Sequence, residues 1–372
     1  MTDLRLNQHL NHRELISVIL TCVMLVACTP APASPAPLPT STLPTNVGGL
    51  SADEVATLNS LEQLDDFPLY TMRYFGVYAP TNLTASVFHQ AETVNLAASS
   101  ACQASWGCTL YAALGDPGKR LYGRNFDWRF SPALLLFTDP PDGYASVSMV
   151  DIDYLGFGGD QARGLVDLPL LSRQALLEAP ALPFDGMIEQ GLVVGMAAVS
   201  PGDMRPDPNK KTIDELAVMR EILDHAATVD EAVDILANYN IDMGNVPLHY
   251  LIASTAGNSA LVEFFQGKMV VFRNEAPWQL ATNFLVASTD GQPQGQCPRY
   301  DRVSQRLQAT KGQLTIQDGL RLLADVSQSD PQAQSNTQWS VVYNMTSGDI
   351  NIIMGRKYTG DVRALHLNRS SQ

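Results

Sequence analysis

The chain has 372 residues, 45% of them hydrophobic, enough for a sizeable core, and carries a formal net charge of -14. So acidic a protein is a poor match for nucleic acid, because phosphate contacts made by Lys and Arg dominate that affinity. Its five cysteines, Cys22, Cys28, Cys102, Cys108 and Cys297, show no spacing with His that suggests a metal site, and no metal or cofactor is expected.

Residues 1–27 read as an export signal, with an apolar run over 15–27 too short to span a bilayer comfortably. The run ends in Leu25-Val26-Ala27-Cys28, which resembles the lipobox of bacterial lipoproteins, with Cys28 as the residue that receives lipid. An ordinary signal peptide cleaved nearby is the other reading. Residues 28–49 are rich in Pro, Ala, Ser and Thr and almost uncharged, so they are expected to form an extended tether without a core. Acyl chains on Cys28 would anchor an exported protein at the outer face of a membrane without a transmembrane helix. The globular part starts near residue 50 and runs to about residue 367, with no second linker and no internal repeat. Ser51-Ala52-Asp53-Glu54 is a capping box opening a helix, with Val55, Leu58, Leu61 and Leu64 at helical spacing and Phe67-Pro68 as its end. Residues 70–78 read as an extended, aromatic-rich segment.

Residues 106–128 are the most informative stretch. Trp106-Gly107-Cys108-Thr109-Leu110-Tyr111 is followed by the turn residues Gly115-Asp116-Pro117-Gly118 and by Tyr122-Gly123-Arg124-Asn125-Phe126-Asp127-Trp128, a pattern that predicts a β-hairpin. Opposed ends of a hairpin lie side by side, which puts the Arg124 cation and the Asp127 carboxylate beside the Cys108 sulfur. A guanidinium stabilises thiolate, and a carboxylate orients an amine. A lone Cys is usually a small buried hydrophobe; the spaced Arg and Asp favour a nucleophile.

Cys108-Thr109, with Arg124 sixteen and Asp127 nineteen residues after the Cys, resembles the choloylglycine hydrolase group. That group covers penicillin V acylases and bile salt hydrolases, with acid ceramidase and N-acylethanolamine acid amidase as relatives. The resemblance implies an N-terminal-nucleophile hydrolase, whose Cys becomes residue one of the working chain by self-cleavage of the bond before it, here Gly107-Cys108. A free α-amine has a reference pKa of about 7.7–8.0 and can act as base for its own side chain near neutral pH. The resemblance also implies that 50–107 is a propeptide-like small-chain segment packed on a catalytic domain, 108–372. With Cys22 in the signal and Cys28 assigned to lipid, three cysteines remain. An exported protein could pair Cys102 with Cys297, the odd count leaves at least one free thiol, and Cys108 is the one expected to stay free.

Residues 144–154 read as a strand, and Gly156-Phe157-Gly158-Gly159 lacks the final Gly of a dinucleotide fingerprint and is expected to be a loop. Asp185-Gly186-Met187-Ile188-Glu189-Gln190-Gly191-Leu192 is similar to the Asp-Gly-Met-Asn-Glu-x-Gly-Leu run of the family, and 191–199 reads as a buried strand. A few residues on, where bile salt hydrolases and penicillin V acylases place an oxyanion-hole Asn, this chain has Ala198, a departure that weighs against bile salts or penicillin V as substrate. Periodicity predicts helices over 212–227, carrying His225 as a surface or packing residue, and over 229–239. His249 opens a strand over 248–254 with no partner visible in the sequence, and 260–265 and 268–273 flank Gln266-Gly267 as a hairpin.

Gln279-Leu280-Ala281-Thr282-Asn283-Phe284 is similar to the segment that supplies the catalytic Asn in the acyltransferase and amidase branches of the superfamily. Asn283 is accordingly assigned the oxyanion role, worth about 2.7–4 kcal/mol in a transition state. Arg299, before Tyr300 at the start of a helix to about 308, matches a family Arg and is carried over as a site-supporting cation, with Arg302 as its nearest rival. Residues 315–326 read as a helix, and 337–343 with 349–354 as a last hairpin.

The fold implied is α+β, a four-layer αββα sandwich. The activity implied is hydrolysis of linear amide bonds, with Cys108 as nucleophile, Arg124 holding the thiolate, Asp127 orienting the α-amine and Asn283 binding the oxyanion. The substrate class is a small N-acyl amide, with an apolar acyl group favoured for a protein tethered at a membrane. An acyltransferase of the same fold and a non-catalytic exported binding lipoprotein are the alternatives.

Overall fold

Alternation of side chains along short strands governs the architecture. The computed structural model describes residues 48–78, 107–199, 203–329 and 335–370. The export signal, Cys28, nearly all of the tether and Cys102 lie outside them. In chain order the elements are α1 (Ala52–Asn59), β1 (Glu62–Asp65), β2 (Leu69–Arg73), β3 (Gly107–Ala113), β4 (Leu121–Trp128), β5 (Ala133–Thr138) and β6 (Ser146–Asp151). A run of 3-10 turns ending at Ala181 leads to β7 (Asp185–Ile188), β8 (Leu192–Ala198), β9 (Lys211–Asp214), α2 (Ala217–His225), α3 (Val229–Asn238), β10 (Tyr239–Asp242), β11 (Leu248–Ser254), β12 (Ser259–Phe265) and β13 (Lys268–Arg273). The chain closes with β14 (Trp278–Ala281), α4 (Pro298–Thr310), α5 (Ile316–Asp325), β15 (Asn336–Asn344), β16 (Asp349–Met354) and β17 (Arg363–His366).

A nine-stranded sheet has the order β1-β2-β5-β6-β7-β8-β11-β12-β13, and a six-stranded sheet has the order β14-β3-β4-β15-β16-β17. Within them every pairing is antiparallel except β2 with β5. The sheets face each other, α2 and α3 cover the outside of the larger one, and α4 and α5 cover the outside of the smaller. This is the αββα sandwich expected. Period two sorts the smaller sheet between two cores. Leu110, Ala112, Tyr122, Phe126, Trp339, Val341 and Tyr343 pack between the sheets, while Tyr111, Ala113, Leu121 and Val342 pack under α4 and α5.

Capping boxes start three helices: Ser51 with Glu54, Thr228 with Glu231, and Thr315 with Asp318. Two sequence expectations are corrected. The helix begun at Ser51 stops at Asn59, and Leu61 and Leu64 belong to the approach to β1 and to β1 itself. There the Ser60 hydroxyl bonds the Arg73 carbonyl at 3.0 Å and turns the chain onto β2, so strand pairing replaces further helix. The helix expected over 212–227 is instead β9, paired in parallel with β10, followed by α2. The Asp214 carboxylate accepts from the Leu216 and Ala217 N–H groups at 3.1 and 2.7 Å and so fixes the helix start two residues later.

Candidate active site

Register alone assembles most of the site. In the β3–β4 hairpin Cys108 lies opposite Phe126, Leu110 opposite Arg124, and Gly107 opposite Asp127. Cross-strand partners share a face, so Cys108 and Arg124 both point between the sheets, while Asp127 points toward α4 and α5. On the other side of β3, Ala281 of β14 lies opposite Leu110; two residues further on, Asn283 comes level with Cys108.

Arg124 is fully buried and its Nη2 lies 4.0 Å from the Cys108 sulfur. Its Nη1 pairs with Asp185 Oδ2 at 2.6 Å and donates to the Phe184 carbonyl. Burial works against the Arg124 charge, but Asp185 and the thiol outweigh it and hold the guanidinium protonated. Asp185 is itself held by the Tyr343 hydroxyl and by Trp339 Nε1 at 3.5 Å. Burial pushes the Cys108 thiol up, opposed by Arg124 and by a main-chain hydrogen bond from Asp127. The sulfur is therefore held as a thiol beside a fixed cation.

The Asp127 carboxylate is not aimed at the sulfur. It accepts from Thr337 Oγ1, its cross-strand neighbour on β15, and from Gln328 Nε2 at 3.0 Å. Burial raises its pKa, with Arg299 the leading opposing charge. Gln328 also lies against Gly107: a Cβ there would come within 1.8 Å of Gln328 Nε2, so a side chain before Cys108 would have to displace the Gln328 amide from its place beside Asp127.

Asn283 and Arg299 address the Cys108 main chain. Asn283 Oδ1 accepts from the Cys108 N–H at 2.7 Å and from Arg299 Nη2 at 2.8 Å, and its Nδ2 donates to the Ala198 carbonyl at 2.8 Å. Arg299 Nη1 donates to the Cys108 carbonyl and to Thr109 Oγ1, the latter at 3.1 Å. Arg299 sits in the first turn of α4 behind Cys297, which is disulfide-bonded; Cys102, the partner considered from sequence, lies outside the described residues. Arg302 is exposed, so of the two candidates only Arg299 meets the site.

Ala198, where an Asn was looked for, lines a cavity of about 20 Å³ beside Cys108, with Phe126, Trp128, Met196, Val246 and Leu248. That volume holds about one water. A cavity of about 730 Å³ lined by Tyr78, Lys211, Asp214, Arg220 and Asp224 shares no residue with it, and its size does not make it the reaction centre. Among the described residues no cluster of three or more His, Cys, Asp and Glu could hold a metal ion.

The structure thus brings Cys108, Arg124, Asp127, Asn283 and Arg299 together around Gly107-Cys108. It adds Asp185, Gln328 and Thr337, to which sequence reasoning gave no role. Asp185 opens a quoted motif and was within reach; Gln328 and Thr337 carry no local signal and are found only through strand register. His249 is also corrected: it has a buried partner, Glu263, at 3.2 Å.

Residues 108–283 match the model of the linear amide C-N hydrolases, choloylglycine hydrolase family. No curated protein matches the chain. Two solved variants of the conjugated bile acid hydrolase from Clostridium perfringens share the fold at a TM-score of 0.52 and 18% identity, covering 71% of this chain and 93% and 94% of theirs. The penicillin V acylase from Agrobacterium tumefaciens aligns at a TM-score of 0.46 and 18% identity, over 70% of this chain and 86% of its own.

Proposed function

We propose, for a chain that belongs to the linear amide C-N hydrolases of the choloylglycine hydrolase family, that Cys108 is an N-terminal nucleophile freed by self-cleavage at Gly107-Cys108. One observation carries the reading: every polar atom of Cys108 is met by a residue assigned from the sequence. Its nitrogen bonds Asn283, its carbonyl bonds Arg299, and its sulfur lies beside Arg124.

In this mechanism cleavage turns the Cys108 nitrogen into an amine that takes the thiol proton. The thiolate attacks the amide carbonyl. An NH2 group carries two hydrogens; the one of Asn283 Nδ2 that is not on Ala198 serves the oxyanion. The protonated amine then delivers its proton to the leaving nitrogen, and water releases the acyl group from the thioester. Arg124 holds the thiolate and Asp127 the α-amine from the opposite face. The apolar side chains of Phe126, Trp128, Met196, Val246 and Leu248 beside Cys108 favour an apolar substituent next to the scissile carbonyl. Export, lipid on Cys28 and tethering through 28–49 belong to the same proposal and rest on sequence; loss of lipid labelling in Cys28→Ser tests them.

The test is the intact mass of the full chain beside Cys108→Ala, followed by a screen of N-acyl amides. Two fragments splitting before Cys108 in the wild type alone, with release of free acid, support the reading. An uncut wild type whose Cys108 also resists iodoacetamide overturns it and leaves a binding protein. Release that occurs only as transfer to an added amine makes the protein an acyltransferase.

A further inference from the structure

Glu263, on β12, is fully buried on the face between the sheets, a costly place for a carboxylate without partners. Its Oε1 accepts from the Val286 N–H and its Oε2 from the Ala287 N–H, both at 2.8 Å. These two amides open the 3-10 turn Val286–Ser288, three and four residues beyond Asn283. The third partner is His249 on neighbouring β11, whose Nδ1 lies 3.2 Å from Oε1 and whose own cross-strand neighbour is Ala197. His249 Nε2 is buried and bonds no described residue.

The arrangement bridges the two sheets at the point where the site needs it. β14 is an edge strand of the six-stranded sheet, and after Ala281 its chain leaves that sheet. Glu263 belongs to the nine-stranded sheet and takes hold of this departing segment by two adjacent main-chain amides. Asn283 reaches the same sheet through Ala198, one residue along β8 from the neighbour of His249. Charge-assisted bonds to N–H groups are short and about twice as strong as neutral ones. Such a clamp resists the sub-ångström drift that spoils an oxyanion donor.

We propose that Glu263, backed by His249, is a positioning residue that fixes the Asn283 amide for the transition state. The inference rests on the oxyanion role given to Asn283 above. A Gln at 263 offers one acceptor and presents an NH2 to the second amide, so it breaks one strap at constant volume. A structural role alone would change the amount of folded protein; a positioning role changes the turnover of each active chain, and only while Asn283 is present.

The experiment is a double-mutant cycle on the full chain with Glu263→Gln and Asn283→Ala, rates normalised to the fraction of chains cut before Cys108. Glu263→Gln alone is expected to lower kcat about tenfold or more with KM nearly unchanged, against about 10²–10³-fold for Asn283→Ala. In the Asn283→Ala background Glu263→Gln is expected to add little. Should Glu263→Gln be too poorly folded or cut to assay, Glu263→Asp keeps the buried charge, shortens the reach, and is expected to give a smaller loss with the same dependence on Asn283. An equal loss in both backgrounds, or an unchanged kcat per cut chain, overturns the proposal while leaving the role of Asn283 standing. A fully active Asn283→Ala removes that role, and the proposal with it.

Discussion

Asn283 has an orientation that its neighbours dictate. Two donors, the Cys108 N–H and Arg299, converge on Oδ1, and a carbonyl takes Nδ2; the flipped amide would set NH2 against two donors. Cys108 is governed by opposing effects of burial and of the Arg124 guanidinium, with burial the larger. The sign is a raised thiol pKa, so thiolate accumulates only on the alkaline side. In the intact chain, the rate of alkylation by iodoacetamide is expected to keep climbing above the ordinary thiol range of about 8.5. A plateau below that range would mean that Arg124 outweighs burial.

At the scale of elements, the hairpin that carries Cys108 is stiffened by a close approach. Gly123 on β4 lies opposite Tyr111, and a Cβ at 123 would sit 2.2 Å from the Tyr111 ring. The same ring meets α5, where a Cβ at Gly319 would lie 2.6 Å from the Tyr111 hydroxyl. Tyr111 is thereby clamped between its own hairpin and the covering helix. Gly123→Ala is expected to destabilise the fold by about 1–3 kcal/mol through overpacking, read as a lowered Tm. An unchanged Tm would mean that the ring moves aside freely.

At the scale of the whole molecule, the described residues 48–78, ahead of Cys108, are part of the sandwich. β1 and β2 form one edge of the nine-stranded sheet, and Asp65 pairs with Lys357 at 2.8 Å and with Arg363 at 3.1 Å, near the other end of the chain. If the chain is cut before Cys108 as proposed, the two fragments are expected to co-elute under native conditions and to separate only in denaturant; separation in buffer alone would contradict this. Stability against pH turns in part on Asp151, whose pKa burial pushes up to about 7. A carboxyl raised on folding contributes stability that is complete below its unfolded pKa of 3.8 and is lost as pH rises through about 7. The loss is up to about 1.4 kcal/mol per pH unit across that window. Asp151→Asn is expected to gain Tm relative to the wild type between pH 5 and pH 8. A difference that stays constant would rule out Asp151 as the source.

The sequence by itself determined what depends on neighbours along the chain. The capping box at Ser51, the 107–128 hairpin, and the Arg and Asp spaced from Cys108 are local patterns, and local patterns carry the residue types that chemistry needs. The expectations that failed were also local. Leu61 and Leu64 keep helical spacing, and 212–216 keeps an apolar rhythm, but strand pairing with β2 and β10 contributes more than propensity at those places. Only the tertiary structure decided which face each group takes. Period two sends Arg124 to the sulfur and Asp127 to the far side, register brings Thr337 under Asp127, and the meeting of two sheets brings Glu263 to the loop after Asn283. Those contacts join residues far apart in the chain, and pairing across a sheet leaves no mark in the sequence of either strand.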